Sequence, residues 1–203
     1  MATERGERRR SALLEAAAAL LVEEGFGAVS HRAVAARAGL PLAATTYYFS
    51  SREQLVEEAV QHMAEGYLEV ARSRVERVGR SDATPARLAR AIVDLVSGEA
   101  GEAQLLTIYE RYVQAGRHPA LRAHVTRWTE ELHGLVAEAL GRAGRDPDLG
   151  LSRRLVALTD GLLMAGLVAG DGRAAEHARA GVAEALVVDR ESGKARGQHR
   201  LEG

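Results

Sequence analysis

The 203-residue chain contains no cysteine. That excludes disulfides and thiolate metal ligation, and it fits a reducing compartment such as the cytoplasm. Aromatic residues are scarce at 4%, so Ala, Leu and Val carry most of the 46% apolar content. With Glu and Arg abundant, this composition favours helix over strand, and no sustained period-two alternation of β-branched residues opposes that reading. A long hydrophobic run is missing too. The most apolar stretch, 155–169, is too short to span a bilayer and contains Asp160, so no membrane segment is expected. The charged start, Met1 to Glu7, lacks the apolar stretch of a secretory signal. A formal net charge of −1 argues against coating nucleic acid by bulk charge, yet it permits sequence-specific binding through a few local cations.

What is present is helical spacing almost throughout, within a length that suits one domain or a small module on a larger one. Leu13, Leu14, Ala17, Leu20 and Leu21 recur at intervals of three and four, which predicts a first helix over 4–24 stopped by Gly25. Ser30 suits the N-cap of a second helix reaching Ala38, Gly39 breaks it, and Pro41 suits the first turn of a third reaching Tyr48. Ser51 and Gln54 stand in capping-box spacing before a longer helix carrying Leu55, Val56, Ala59, Met63, Tyr67 and Val70. Glycines and prolines near 79, 85, 98, 116–119, 144–147 and 170–172 then divide the remainder into further helices, the last over 173–188. The expected fold is all-α with about nine helices. Residues 189–203 are polar and aperiodic and read as a disordered tail.

The segment that points to function runs from Ser30 to Phe49, where two short helices meet at a glycine turn. Val34, Ala35, Ala38, Leu40 and Phe49 are placed to face a small core, and Thr45, Thr46, Tyr47 and Tyr48 read as outward. Hydroxyl and aromatic side chains on such a face can bond phosphates, touch base edges or contact thymine methyls in a major groove.

At this point the chain resembles the TetR family of bacterial regulators. The resemblance lies in Ser30-x-Arg32-x-Val34-Ala35-x-x-Ala38-Gly39-Leu40, continued by Tyr47-x-Phe49-x-Ser51-Arg52-Glu53-x-Leu55. It implies a three-helix DNA-binding head at residues 1–50, a ligand-binding and dimerisation domain at 51–188, and double-stranded DNA with a palindromic operator as partner. Ser30, Arg32, Tyr48 and Arg52 match positions that commonly touch phosphates. Leu42, Ala43, Thr45, Thr46 and Tyr47 fall on the recognition helix. Two departures stand out: Ala43, Ala44 and Thr45 replace the frequent glycine, threonine and apolar residue, and Thr46 replaces a tyrosine. Arg52 stands where lysine is usual, and keeps the charge. Arg8, Arg9 and Arg10 suit either a contact with the DNA backbone or minor groove, or a solvated helix end.

The resemblance further implies a small-molecule pocket in the C-terminal helices. Candidate lining residues are Met63, Tyr67, Ile92, Tyr109, Tyr112, Trp128, Thr159 and Met164, mostly apolar with a few hydroxyls, as an apolar organic effector requires. For each of them, ordinary core packing is the competing reading. Asp160 admits a ligand bond, a helix partner or a solvated kink. His118, His124 and His133 lie at intervals unsuited to one helical face and complete no metal set. The last two helices suit a homodimer, with Gly161, Ala165 and Gly166 on one and Ala175, Ala178, Val182, Ala185 and Leu186 on the other. The competing classes are an all-α enzyme and a helical adaptor. No nucleophile elbow, phosphate loop, paired carboxylates or metal motif supports an enzyme, and no cofactor is expected.

Overall fold

Helix formers punctuated by glycine and proline leave the backbone little alternative to successive helices, and the computed structural model realises them. It describes residues 4–98 and 101–199, with side chains described except at 102–103 and 190–199. Among the described residues the order is α1 (Glu4–Glu24), a 3-10 turn (Phe26–Ala28), α2 (His31–Ala38), α3 (Leu42–Tyr48), α4 (Arg52–Arg77) and a second 3-10 turn (Arg80–Asp82). Then come α5 (Pro85–Ser97), α6 (Glu102–Arg117), α7 (Pro119–Arg142), α8 (Leu149–Ala169) and α9 (Ala174–His199). The fold is all-α. No helix among the described residues is long and apolar enough to cross a membrane. The last helix runs on to His199, past the expected stop at Val188. Residues 200–203 of the expected tail lie outside the described residues.

Two compact units divide the chain, one from Met1–Leu68 and Ala103–Trp128, the other from Glu69–Glu102 and Thr129–Gly203. In the first, one buried cluster joins Leu13, Leu20 and Leu21 of α1, Val34 of α2 and Phe49 to Leu55, Val56 and Val60 of α4, with Ala115, Leu121 and Val125. The core therefore continues past residue 50 into α4, α6 and α7. On α4 the buried stripe runs through Val56, Ala59, Val60, Ala64, Leu68, Ala71 and Val75, and Val70 is left half-exposed. Ser51 caps α4 as the motif spacing indicates, and only the reciprocal bond of the box shifts by one residue, to Ser50. Ser51 Oγ accepts from Gln54 N–H at 3.1 Å, and Gln54 Oε1 accepts from the Ser50 amide at 2.7 Å.

In the second unit α5, α8 and α9 pack together around Leu88, Ile92, Leu155, Val156, Leu163, Val182 and Leu186. An ion pair between Arg179 and Asp94 at 2.8 Å ties α9 to α5. Small residues let α8 and α9 approach closely. A Cβ built on Gly166 would lie 2.5 Å from the Ala174 Cα, and one on Gly181 would lie 2.6 Å from Leu162 Cδ1. Gly166 thus closes the subunit's own helix pair, while Gly161 and Ala165 remain exposed. The α9 residues expected to meet a partner also turn inward, since Ala178, Val182 and Leu186 are buried in the unit.

Because backbone faces Gly166, Gly166→Ala is expected to destabilise the protein by roughly 1–3 kcal/mol through overpacking. Gly134→Ala, in α7 with nothing within 4 Å of the added methyl, is expected to stabilise by roughly 0.5–1 kcal/mol. Urea unfolding of the two variants beside the parent chain checks the pair, and equal midpoints would reject the close approach.

Candidate DNA-reading head and aromatic cluster

Ser30 caps α2 with its Oγ accepting from Ala33 N–H at 3.2 Å. The helix ends at Gly39, whose φ of 65° is left-handed and costs glycine little. That turn lets Leu40 N–H donate to Ala35 O at 3.0 Å and sends the chain through Pro41 into α3. Val34, Ala35 and Phe49 are buried beneath the two helices. On α3, Leu42 is 46% exposed, Tyr47 is 81% exposed, and Ala43 and Thr46 are exposed as well. Tyr48 is half-buried, with its ring edge-on to Tyr47 at 5.0 Å.

Of the residues expected to face DNA, Thr45 is turned inward and the exposed Arg52 is engaged by the protein itself. Thr45 is fully buried, and its hydroxyl donates to Leu42 O at 2.8 Å. A seven-residue helix against a core must turn one side inward, and Thr45 is on it. Arg52 donates from Nε to Val29 O at 2.7 Å and from its other arm to Phe26 O. Its guanidinium therefore fixes the loop leading into α2, and phosphate contact is left to whatever donor capacity remains. Ser30 and Arg32 stay exposed.

Neighbouring cations are mostly engaged. Arg37 grips Glu23 with two bonds of 2.7 and 2.5 Å, pinning α2 to α1. The hydrogen bonds from Arg37 hold the Glu23 carboxyl below the usual carboxylate range. Arg10 pairs with Glu58 and lies 5.8 Å from the Phe49 ring centroid. Arg8 and Arg9 stand on the exposed side of α1, with Arg8 3.4 Å from Glu4.

Farther along the first unit, Trp128 gathers three partners. Tyr67 meets it edge-on at 5.3 Å, Tyr112 lies at 6.2 Å, and the Arg111 guanidinium sits 3.3 Å from its ring centroid. Trp128 is 2% exposed and its Nε1–H has no acceptor. Met63 and Tyr112 pack against the head's apolar cluster. Met63 also lines a cavity of about 10 Å³ with Phe26, Val60, Thr107 and Arg111, room for a single water. An open groove of about 410 Å³ between α1 and α4 differs in character, with Glu7, Glu58 and Glu65 on its walls. Tyr109 is buried in the first unit.

In the second unit Ile92 is buried, and the buried Thr159 donates its hydroxyl to Leu155 O at 2.7 Å. Met164 is 49% exposed, so it belongs to the surface of α8. Asp160 is half-buried. Of the three histidines, His124 binds Glu57 at 2.9 Å and His133 lies 3.7 Å from Glu130, and no group of three or more metal-ligating side chains forms among the described residues.

Comparison with known proteins settles the family. Residues 13–59 match bacterial regulatory proteins of the tetR family, and residues 83–188 match the tetracyclin repressor-like C-terminal domain. The chain belongs to the TetR family of transcriptional regulators. Over 94 residues it is 37% identical to the HTH-type transcriptional dual regulator CecR of Shigella flexneri, a match spanning 46% of this chain and 42% of that protein. The crystal structure of SCO7518 from Streptomyces coelicolor A3(2) shares 31% identity at a TM-score of 0.68, covering 88% of this chain and 96% of that one. The multidrug binding protein EbrR, solved with proflavin, shares 30% identity at a TM-score of 0.63, covering 88% of this chain and 99% of that one.

Within this TetR-family chain, sequence reasoning missed Arg111, whose exposure of only 6% is unusual for a cation. Its only signal was position, one residue before Tyr112. The exposed apolar stripe of α8 was also incompletely read. It comprises Ala157, Gly161, Met164, Ala165 and Val168, one helical face.

Two carbonyl bonds make Arg52 a structural clamp. Arg52→Ala is expected to lower unfolding free energy by roughly 1–2 kcal/mol, charge-assisted bonds to partly exposed carbonyls being worth that order. Arg32→Ala, with no such bonds, should stay within about 0.5 kcal/mol. Urea midpoints decide, and an unchanged midpoint for Arg52→Ala would return that residue to a phosphate-binding role.

Proposed function

We propose that the protein is a cytoplasmic, sequence-specific repressor that binds a palindromic operator as a homodimer and is released by a small organic ligand. The observation that carries this reading is the outward face of the head, where Ser30, Arg32, Leu42, Ala43, Thr46 and Tyr47 are exposed on two helices locked at a left-handed glycine. In a helix-turn-helix the second helix enters the major groove and the first crosses the backbone. Arg32 is then suited to a phosphate and Tyr47 to the groove floor. The core beneath holds the reading face rigid, as register on DNA demands.

A twofold partner matches the apolar stripe on α8, with Val187 and Val188 of α9 exposed as well. Two helices from each subunit then form a four-helix contact, and its symmetry calls for an inverted repeat. The effector reading rests on Tyr67, Tyr112, Trp128 and Arg111. Rings and a cation already stacked together can part around a planar aromatic guest, and EbrR holds such a compound in proflavin. Tyr112 belongs to this cluster and also packs on the head's core, so parting the stack bears on the packing under α2 and α3. Release from DNA then follows if the ligand binds the released state more tightly.

Selection from a random duplex library is expected to enrich an inverted repeat bound about 10³-fold or more above nonspecific DNA. The Arg32→Ala, Tyr47→Ala double variant should lose that preference while keeping its fold and oligomeric state. Absence of any enriched sequence, with only salt-sensitive weak binding, would reject the reading.

Trp128 is the single tryptophan, which makes the effector site self-reporting. Proflavin is expected to quench its fluorescence saturably, and Tyr112→Ala should weaken that binding about fivefold or more. Linear, non-saturating quenching would remove the aromatic cluster from the effector site.

A further inference from the structure

The exposed face of α3 is notable for the chemistry it lacks. From Pro41 to Tyr48 there is no charged side chain and no amide. Thr45 is buried. Thr46 is exposed, yet its hydroxyl hydrogen is directed to Ala43 O at 3.3 Å, which leaves its methyl and an acceptor oxygen outward. Leu42 and Ala43 add only carbon. Tyr47 adds a ring edge and one phenol.

The major groove offers four distinct patterns to a protein. Guanine is read by Arg or Lys on N7 and O6, adenine by Asn or Gln on N6 and N7, and cytosine by Asp or Glu on N4. Thymine presents a methyl group to apolar contact. The first three reading groups are missing from α3, and the fourth makes up most of its face. The nearby cations do not fill the gap, because Arg37 and Arg52 are held by Glu23 and by loop carbonyls. Arg32 stands near the start of α2, on the helix that crosses the backbone.

We propose that α3 reads thymine methyl groups, so that the centre of each operator half-site is a short run of T·A pairs recognised by the C5-methyls rather than by hydrogen bonds. This rests on the head entering the major groove, and it adds what the head reads there. The four contacting side chains, Leu42, Ala43, Thr46 and Tyr47, occupy positions i, i+1, i+4 and i+5, one face of the helix. A methyl inserted among them leaves water for carbon contact. The only polar groups on this face are the Thr46 oxygen and the Tyr47 phenol, so most of the contact a thymine methyl meets is carbon. Discrimination therefore comes from lost apolar contact and from clash.

The test uses the full chain and the operator enriched from the random library. Each thymine of one half-site is replaced singly by deoxyuridine, which keeps the base pair and removes only the methyl. Affinity is expected to fall about three- to fivefold at two or more positions, the worth of one buried methyl each. Thr46→Ser, which trims the facing protein methyl, should erase the deoxyuridine effect at one of those positions and leave the others intact, a coupling that simple weakening of the complex does not produce. Deoxyuridine that changes affinity less than 1.5-fold at every position, together with a strong loss from 7-deazaguanine, would overturn the proposal and assign readout to guanine through Arg32. Failure to enrich any operator would instead overturn the DNA-binding reading beneath it, so the two failures are distinguishable.

Discussion

One apolar cluster governs the first unit. Leu13, Leu20 and Leu21 on α1 form a floor on which Val34 and Phe49 of the head rest, and the same floor carries Leu55, Val56 and Val60 of α4 with Leu121 and Val125 of α7. Every feature of the head inherits its position from this contact. The glycine turn at Gly39 can aim α3 only because α2 is seated on that floor, and the Arg37–Glu23 pair adds a lateral pin at the surface. A surface ion pair of this kind contributes little by itself. Burial of large side chains contributes most of the energy, roughly 1.5–3 kcal/mol for each one fully removed from water.

That arrangement also bears on the proposed function, in which an event among α4, α6 and α7 is felt at the head. Met63 and Tyr112 pack on the head's cluster from one side, and Tyr112 neighbours Trp128 on the other. Thr107 of α6 reaches the Val22 carbonyl of α1 at 3.1 Å. Close-packed cores shift between discrete arrangements rather than deforming smoothly. A guest that parts the aromatic stack therefore has a contiguous set of side chains to act on, without any special pathway.

Much of this was legible in the sequence. Three- and four-residue spacing of Leu, Ala and Val gave the helices, and glycines and prolines gave most of their ends to within a few residues, the last helix excepted, which runs past the expected Val188 to His199. The head's motif was legible because sterics restrict each of its positions: glycine where φ is 65°, small residues where helices cross, serine at the cap. What escaped was direction at single positions. Thr45 reads as a polar outward residue, yet a hydroxyl satisfied by its own helix's carbonyl is free to be buried. Arg52 reads as a phosphate-contacting cation until the Val29 and Phe26 carbonyls are brought beside it by packing 23 and 26 residues distant in sequence. The inward turn of Ala178, Val182 and Leu186 was hidden because an apolar stripe on a helix does not announce whether its own subunit or a partner covers it. The stack around Trp128 joins α4, α6 and α7, and no local pattern encodes such a meeting.

The guanidinium of Arg111 over Trp128 gives the effector reading a quantitative edge. A ring face already covered by the chain's own cation is a site with a resident occupant, tethered at a high and constant local concentration. Under the proposed function an incoming aromatic molecule would compete with it, and the affinity in a titration would be the intrinsic affinity reduced by the fraction of time Arg111 is away. On the proposed effector reading the cluster would behave as a threshold detector, silent toward weak binders and responsive to compounds whose contact with the indole exceeds that of a guanidinium. Its set point rests on one side chain.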